Sequence, residues 1–318
     1  MTDFVLAADL GGTNLRIAAV KGDGEIVALR RASTPSNGGC YDIAEAIAKA
    51  GKACSDELEV SIERLVLGLA VPALLDSRSG IIHRAPNLPQ LDGNNLADAV
   101  AKKLGCKVVI ENDANAAALG EHRFGASKGC ATSVCVTLGT GVGGGLILDG
   151  ELWRGIDGTA GELGHVCVEP EGLGCGCGSK GCLEQYASAT AVVERTREMA
   201  ATFPSSSLSK TLNQDFSAKD VYEAGKNGDE LAIEVFRQAG YYLGTVFAAL
   251  VNVLNPEIIV IGGGAAAGWD LFIDEAREQI TKKAFQRPAD RVKIVRGTLG
   301  DSAGLLGAAQ IAFASAKP

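Results

Sequence analysis

The spacing of apolar residues along the chain changes repeatedly between a strand pattern and a helix pattern. Near the N-terminus, apolar or alternating runs at 4–9, 15–20 and 25–31 are separated by the sequences GGT and KGDG, and KGDG is typical of a hairpin turn. Three successive strands are therefore predicted, and helical spacing at 41–58 predicts a helix after them. After this helix, the spacing of apolar residues predicts a strand at 64–71, a helix at 95–104 and a strand at 107–111.

A similar order of strands and helices begins again at residue 132. Runs at 132–138, 143–148 and 165–168 predict a second set of strands, and longer helical patterns follow them. The later predicted elements are helices at 189–200, 218–226, 230–252, 269–284 and 303–314 and strands at 257–261 and 292–295. Because a chain of 318 residues exceeds the size at which one hydrophobic core usually stops growing, this repeat predicts two α/β lobes.

Composition and charge narrow the class of protein. The net charge of −8 and the lack of a run of Lys and Arg argue against nucleic acid as a partner, because phosphate contacts need clustered cations. The first residues do not read as a signal peptide, and no apolar run approaches the roughly 18 residues that span a bilayer. We therefore expect a cytoplasmic protein without a membrane partner, whose nine cysteines stay reduced.

Four of the nine cysteines lie in one glycine-rich stretch at 164–184. There, His165, Cys175, Cys177 and Cys182 supply one imidazole and three thiols, a Cys₃His set suited to tetrahedral zinc. Cys167 lies two residues after His165 in the predicted strand, so it could compete as a ligand. Since four protein ligands leave no open position, the sequence predicts one structural Zn²⁺ per chain rather than a catalytic metal.

Three glycine-rich turns follow predicted strands, at 9–13 (DLGGT), 138–145 (LGTGVGGG) and 262–264 within IGGGAAAG. Backbone N–H groups of such turns bind phosphate oxygens. The second turn fits the dinucleotide fingerprint G-x-G-x-x-G, but that motif must open a helix and a strand is predicted here. The third turn precedes a helix, so a nucleotide there stays open, and no ordinary P-loop sequence occurs. The pattern predicts a phosphate-binding hairpin in each lobe, with a nucleotide held between the two.

Seven motifs, in order along nearly the whole chain, resemble those of a known family. They are DLGGT, APNLP, ENDANAAALGE, GTGVGGG, GELGH, CGCGSKGCLEQYAS and IVIGGG. In this combination the chain resembles the ROK sugar kinases of the actin and hexokinase superfamily, most closely the bacterial glucokinases. The resemblance implies an α/β fold of two RNase H-like lobes with an active-site cleft between them, and ATP-dependent phosphorylation of a hexose.

The resemblance also implies where the lobes divide. A small N-terminal lobe would span 1–111 and be completed by a C-terminal helix at 301–318, and a large lobe at 112–300 would carry the zinc loop. Hinges would lie near Glu111 and Gly300.

Individual residues gain roles from the same resemblance. Asp113, in the family pattern N-D-x-N, is the expected general base for the sugar hydroxyl, although an aspartate at the start of a helix can also merely cap it. Asp9 resembles the carboxylate that organises catalytic Mg²⁺ through water. The expected ATP contacts are Asp9, Gly11, Gly12, Thr13, Thr140, Gly141, Gly263 and Gly264. The expected sugar ligands are Asn87, Asn112, Asp113, Glu162, His165 and Glu184.

Three of these residues have an alternative interpretation or a double role. Glu162 and Glu184 can also be read as ordinary surface carboxylates, because glutamate is mostly exposed. His165 would bind zinc through one ring nitrogen and offer the other to a sugar hydroxyl, so that the metal loop shapes the sugar pocket without taking part in catalysis.

Two departures from the family pattern leave the substrate open. VPA at 71–73 stands where the family usually has P-G, and Leu91 replaces an aromatic residue. Glucose is the expected hexose, with N-acetylmannosamine, N-acetylglucosamine, fructose or allose as alternatives, and polyphosphate could replace ATP. Repressors of the family carry an N-terminal helix-turn-helix, whereas eight residues precede Asp9 here. A non-catalytic sugar sensor is the further alternative, and the resemblance favours a homodimer.

Overall fold

The computed structural model describes residues 4–35, 38–210 and 215–316, and this part of the chain folds into two compact units. The first unit consists of Met1–Ala131, Gly145–Gly161 and Gly297–Pro318, and the second of Thr132–Gly144 and Glu162–Arg296. The outermost residues of the expected small lobe, 1–3 and 317–318, lie outside the described residues. No helix in the described ranges is long and apolar enough to cross a membrane.

Strands and helices alternate through both units. The strands are β1 (Phe4–Leu10), β2 (Asn14–Lys21), β3 (Ile26–Ser33), β4 (Val66–Val71), β5 (Leu74–Leu75), β6 (Ile82–Arg84), β7 (Lys107–Asn112), β8 (Ser133–Leu138), β9 (Val142–Leu148), β10 (Glu151–Leu152), β11 (Ile258–Gly262) and β12 (Lys293–Arg296). The α-helices are α1 (Cys40–Glu57), α2 (Leu96–Leu104), α3 (Asp113–Phe124), α4 (Glu184–Ala187), α5 (Ala189–Met199), α6 (Ala218–Lys226), α7 (Glu230–Leu254), α8 (Trp269–Lys283), α9 (Gln286–Arg291) and α10 (Ala303–Ala316).

The sheet of the first unit has the strand order β3-β2-β1-β4-β7. Its first three strands form an antiparallel meander, and β4 and β7 continue it parallel to β1. Alternate residues of β1 face opposite sides, as the period of two requires. Leu6, Ala8 and Leu10 lie in a core with α1 and α2, whereas Val5 and Ala7 lie in a core with α10, so helices cover both faces.

Helix α10 packs on α3 with almost no space between the two backbones. A Cβ added at Gly307 would lie 1.6 Å from the Ala116 carbonyl oxygen, and one added at Gly120 would lie 2.3 Å from that of Ala303. This close packing holds α3 in the same compact unit as β7, whereas the expected lobe boundary falls between them, after Glu111. The bounds expected from the sequence stay a prediction about how the chain divides.

A buried carboxylate on α3 also anchors the segment that precedes α10. Glu121 is 2% exposed, and its carboxylate accepts the backbone N–H groups of Ala126, Thr298 and Leu299. Hydrogen bonds to an ionised acceptor are about twice as strong as hydrogen bonds between neutral groups, so these bonds can offset the desolvation cost of burying the carboxylate.

The second sheet has the strand order β10-β9-β8-β11-β12. Its strand β11 runs parallel to both β8 and β12, so these three strands end at the same edge of the sheet. Helices α7 and α8 of the second unit meet at Gly240 and Gly244, where an added Cβ would come within 2.4 Å of a carbonyl oxygen of α8. The strand predicted at 165–168 is wrong, because its first residue ends a turn of 3₁₀ helix at Leu163–His165 and the rest forms only an isolated bridge at Cys167.

Candidate active site

Four side chains of the glycine-rich stretch converge in the second unit. His165, Cys175, Cys177 and Cys182 each place a ligand atom within 4.8 Å of the others. The distance from His165 Nδ1 to Cys175 Sγ is 3.6 Å, as is that between the Sγ atoms of Cys177 and Cys182. Zinc bound at about 2.3 Å in a tetrahedron separates its sulfur ligands by about 3.8 Å, so the donors fit a Cys₃His zinc site in both type and spacing.

Cys167 lies outside this cluster. Its side chain is exposed, and its backbone forms an isolated bridge with that of Cys182. Because His165 ends a 3₁₀ turn and only an isolated bridge forms at Cys167, the alternate-residue spacing that would have set Cys167 beside the His165 ring does not apply.

The loop can close around the cluster because glycines occupy its tightest positions. Gly181 has a φ of +69°, and an added Cβ would lie 1.7 Å from the Glu169 carbonyl oxygen. Burial, with the nearby thiols of Cys177 and Cys175 adding to it, raises the pKa of Cys182 to about 12. Since zinc binds thiolates, metal binding at this loop would release protons.

The two ring nitrogens of His165 face different partners. Nδ1 faces Cys175 in the cluster, whereas Nε2 is 3.9 Å from Oε2 of Glu162. Burial raises the pKa of Glu162, with the Glu184 carboxylate acting in the same direction and His165 opposing both. Glu162, Glu184 and His165 are therefore close enough to influence one another electrostatically, although the Glu162 side chain is 43% exposed.

Glu184 links the metal loop to the second glycine turn. It opens the short helix α4, two residues after Cys182, and its Oε2 accepts the N–H of Val142 at 2.9 Å. A Cβ at Gly141 would lie 2.2 Å from that same oxygen, so only glycine fits there without moving Glu184. The turn is also held by Thr190, whose hydroxyl donates to the Thr140 carbonyl oxygen at 2.8 Å.

The second and third glycine turns lie side by side in the second unit. They follow β8 and β11, which are adjacent parallel strands and end at the same edge. Gly263 has a φ of +85°, and a Cβ there would lie 2.3 Å from the Leu138 carbonyl oxygen. A ligand at the carboxyl ends of parallel strands is the usual arrangement in α/β proteins.

In the first unit, Asp113 is placed at the start of α3 by its neighbour. Asn112 is the N-cap, because its Oδ1 accepts the N–H groups of Ala114 and Asn115. Asp113 is the first helical residue, and its Oδ1 also accepts the Ala114 N–H at 2.9 Å. Asn112 and Asp113 therefore both accept N–H groups at the start of α3, with Asn112 as the N-cap.

Asp9 ends β1 beside the N-terminus of α10. Burial raises its pKa, with Asp301 acting in the same direction and the ion pair with Arg16 opposing both. Arg16 NH2 donates to Asp9 Oδ2, so a magnesium ion held through water would share this carboxylate with an arginine. Gly304 of α10 approaches so closely that an added Cβ would lie 3.3 Å from Oδ2.

The first glycine turn brings two kinds of expected ligand together. A Cβ added at Gly12, an expected phosphate contact, would lie 3.3 Å from Cβ of Asn87, an expected sugar ligand. The turn is fixed from β3 by the Thr34 N–H, which donates to the Thr13 carbonyl oxygen at 2.9 Å, while the Thr34 hydroxyl donates to Gly11.

The expected site residues therefore fall into two groups. The first unit holds Asp9, Gly11, Gly12, Thr13, Asn87, Asn112 and Asp113. The second unit holds Thr140, Gly141, Glu162, His165, Cys175, Cys177, Cys182, Glu184, Gly263 and Gly264.

Two arginines near these groups were not expected from the sequence. Arg16 pairs with Asp9 across the β1–β2 hairpin. This register follows from the length of the DLGGT turn, so the contact could have been predicted from the sequence. Arg154 pairs with Glu111 over a separation of 43 residues, and no local pattern predicts such a contact.

Comparison with known proteins places the chain beside sugar kinases along almost its whole length. The model of the ROK family matches residues 5–315. A glucokinase of Thermotoga maritima is 36% identical over 96% of both chains. The crystal structure of a ROK family glucokinase from Streptomyces griseus in complex with glucose and AMPPNP is 34% identical, covers 98% of this chain and 99% of its own, and superposes with a TM-score of 0.82. A xylose repressor of Caldicellulosiruptor bescii is 32% identical over 76% of this chain and 61% of its own.

Proposed function

The chain belongs to the ROK family, and on that premise we propose that it is an ATP-dependent hexokinase that converts glucose to glucose 6-phosphate. The match to a glucokinase over 96% of both chains supports this activity. This match is the observation that carries the proposal, and the residue on which its chemistry depends is Asp113, the first residue of α3.

Asp113 acts as the general base. Phosphoryl transfer requires an acceptor oxygen in line with the leaving oxygen, and a group that takes the proton of the acceptor hydroxyl. The Asp113 carboxylate accepts the proton of the sugar hydroxyl as that oxygen attacks the terminal phosphorus of ATP. It is the first helical residue of α3 and directly follows the Asn112 cap, so its backbone is held in place.

The side chains that we assign to the sugar are those expected from the sequence. Asn87, Asn112 and Asp113 of the first unit and Glu162, His165 and Glu184 of the second supply carboxylates, amides and a ring nitrogen, which suit vicinal hydroxyls. His165 Nε2, on the side of the ring away from Cys175, is the nitrogen available to a hydroxyl.

The phosphates of ATP are bound by the glycine turns. Gly11, Gly12, Thr13, Thr140 and Gly141 supply the phosphate contacts, and Gly263 and Gly264 lie beside the adenosine. Asp9 organises Mg²⁺ through water, and the ion supplies charge neutralisation on the phosphates when bound.

Zinc is a structural ion in this proposal. His165, Cys175, Cys177 and Cys182 hold one ion per chain, whose bonds close the loop that carries Glu162 and Glu184. We further propose that the protein acts in the cytoplasm, in glycolysis, as a homodimer.

A panel of hexoses tests the substrate. The purified protein is assayed with ATP and Mg²⁺ against glucose, N-acetylmannosamine, N-acetylglucosamine, fructose and allose, with ADP release coupled to NADH oxidation. We expect the highest kcat/KM for glucose, and a parallel assay with polyphosphate identifies the phosphoryl donor. A higher kcat/KM for another hexose would reassign the substrate and leave the kinase in place.

A sugar-sensing regulator is the second candidate. The match to a xylose repressor favours it, although that match covers 76% of this chain against 96% for the glucokinase. Glucose binding by calorimetry without phosphorylation by any donor would support the sensor and reject the kinase.

A further inference from the structure

A buried carboxylate lies two residues before Asp113. Glu111, at the end of β7, is 1% exposed, and both of its oxygens are engaged. Oε1 accepts the N–H of Asn112 and the side-chain amide of Asn115, and Oε2 accepts Nε of Arg154 at 2.6 Å. All four residues belong to the first unit. A charge buried this deeply is tolerated only when it is paired and hydrogen-bonded, and Arg154 is the cation that pairs with it.

The partners of Glu111 are the groups that shape the start of α3. Asn112, whose N–H Glu111 accepts, caps the helix, and its side-chain amide also donates to the Ala73 carbonyl oxygen at 3.2 Å. Asn115, whose amide Glu111 accepts, lies in the first turn of the helix. Glu111 therefore holds the backbone N–H of the residue before Asp113 and the Asn115 side chain of the turn after it, so it has contacts on both sides of the proposed base.

Arg154 comes from a loop that follows β10. Its side chain is 37% exposed and reaches the buried Glu111, while the Arg154 carbonyl oxygen accepts the N–H of Ala160 and closes the loop. The loop packs on the segment after β5, where a Cβ at Gly158 would lie 2.9 Å from the Leu75 carbonyl oxygen. The ion pair thus ties the start of α3 to an ordered loop distant in sequence.

We propose that Glu111 and Arg154 form a positioning pair that sets the direction of the Asp113 carboxylate. Neither residue is required to touch the substrate, and both act through Asn112 and Asn115. The proposal rests on the proposed function, because it assigns the pair to the geometry of the base. A displacement of about 1 Å of a reacting group can lower the rate by about 10²-fold, so an effect on kcat is expected from a contact of this kind.

Three variants separate positioning from simple stabilisation. The first, Arg154→Met, removes the cation and leaves the Glu111 carboxylate unpaired. Arg154→Lys keeps a cation within reach of Oε2. The double variant Glu111→Gln with Arg154→Met removes both charges, while the new amide oxygen can still accept the Asn112 N–H. Arg30→Met is the matched control, because Arg30 pairs with Glu57 in the same unit and both side chains are solvent-exposed.

Steady-state kinetics across pH, with circular dichroism to confirm folding, give the readout. We expect Arg154→Met to lower kcat about 10- to 100-fold with the KM for glucose within about threefold of wild type. Arg154→Lys should recover most of kcat, and Arg30→Met should match wild type.

The double variant decides whether the pair positions the base or only stabilises the fold. If the pair positions the base, kcat stays at least about fivefold low in the double variant, although no unpaired charge is left. Full recovery of kcat in the double variant, or wild-type kcat in Arg154→Met, would overturn the proposal while leaving the proposed function intact. An Asp113→Asn variant with wild-type kcat, assayed in parallel, would overturn both.

Discussion

At the scale of single residues, the start of α3 has two polar neighbours, Asn112 and Asp113, in different positions. Asn112 caps the helix through two backbone N–H groups, and Asp113 occupies the first helical position. The same arrangement occurs in α2 without any expected chemistry, since Asn95 caps that helix and Asp98 lies in its first turn. The comparison offers a control for effects that any aspartate at a helix start would have.

Replacement of the proposed base should reduce turnover while leaving binding largely unchanged. We expect Asp113→Asn to lower kcat by about 10² to 10⁴, because the amide keeps the size of the side chain but cannot accept the proton. Calorimetry should give a glucose affinity close to wild type. Asp98→Asn should leave kcat within about twofold, since Asp98 pairs with Lys102 on an exposed surface. More than about a tenth of the wild-type rate in Asp113→Asn would show that another group takes the proton.

At the scale of elements, the four residues of the Cys₃His cluster were predictable from the sequence, but the path of the loop that carries them was not. Residue type and spacing identify His165, Cys175, Cys177 and Cys182, and the structure brings these four together. The strand predicted at 165–168 is wrong because the apolar run HVCV follows the turn around the cluster instead of a sheet edge. Cluster closure is a long-range constraint, and hydrophobic periodicity reports only local ones.

Loss of one zinc ligand should disorder the loop and weaken sugar binding. Metal analysis of the wild-type protein should give about one zinc per chain, and Cys177→Ser should lose most of it, because three remaining ligands bind far more weakly. Glucose affinity should fall with the zinc content, since the same loop carries His165 and Glu184. Cys167→Ser is the matched control, because Cys167 is exposed and outside the cluster. An unchanged glucose affinity in zinc-free Cys177→Ser protein would break the proposed link between metal and pocket.

Close packing of α10 on α3 makes a second prediction at this scale. Gly307→Ala adds a methyl group 1.6 Å from the Ala116 carbonyl oxygen, so the two helices must separate. We expect the free energy of unfolding in urea to fall by about 1–3 kcal/mol, the usual cost of overpacking. Gly22→Ala, where nothing lies within 4 Å of the added methyl group, should stay within about 0.5 kcal/mol of wild type. Equal stability of Gly307→Ala and Gly22→Ala would mean that the helices tolerate a wider separation than this packing suggests.

At the scale of the whole molecule, long and strongly periodic elements were predictable to within about two residues. The helix predicted at 230–252 is α7 at Glu230–Leu254, and the ROK resemblance is confirmed by the family match. Short elements were missed: β10 has two residues, and α9 contains a proline that reads as a helix breaker. Contacts such as Glu111 with Arg154 were missed because they depend on the completed fold, and no local pattern encodes them.

The assignment of sugar ligands to both units makes a prediction for the whole chain. Glucose should slow amide hydrogen exchange at 85–89 and 112–117 in the first unit and at 162–184 in the second, because the bound sugar orders the backbone around Asn87, Asn112, Glu162 and Glu184. Exchange is followed by mass spectrometry with saturating D-glucose, and L-glucose serves as the mirror-image control that should protect neither unit.

The pattern of protection is the informative result. Helix α1 carries none of the expected ligands, so its exchange should be the same with and without D-glucose. Protection at the zinc loop alone would restrict the sugar site to the second unit. The roles of Asn87 and Asn112 would then be wrong, and Asp113 would need a different explanation for its place at the start of α3.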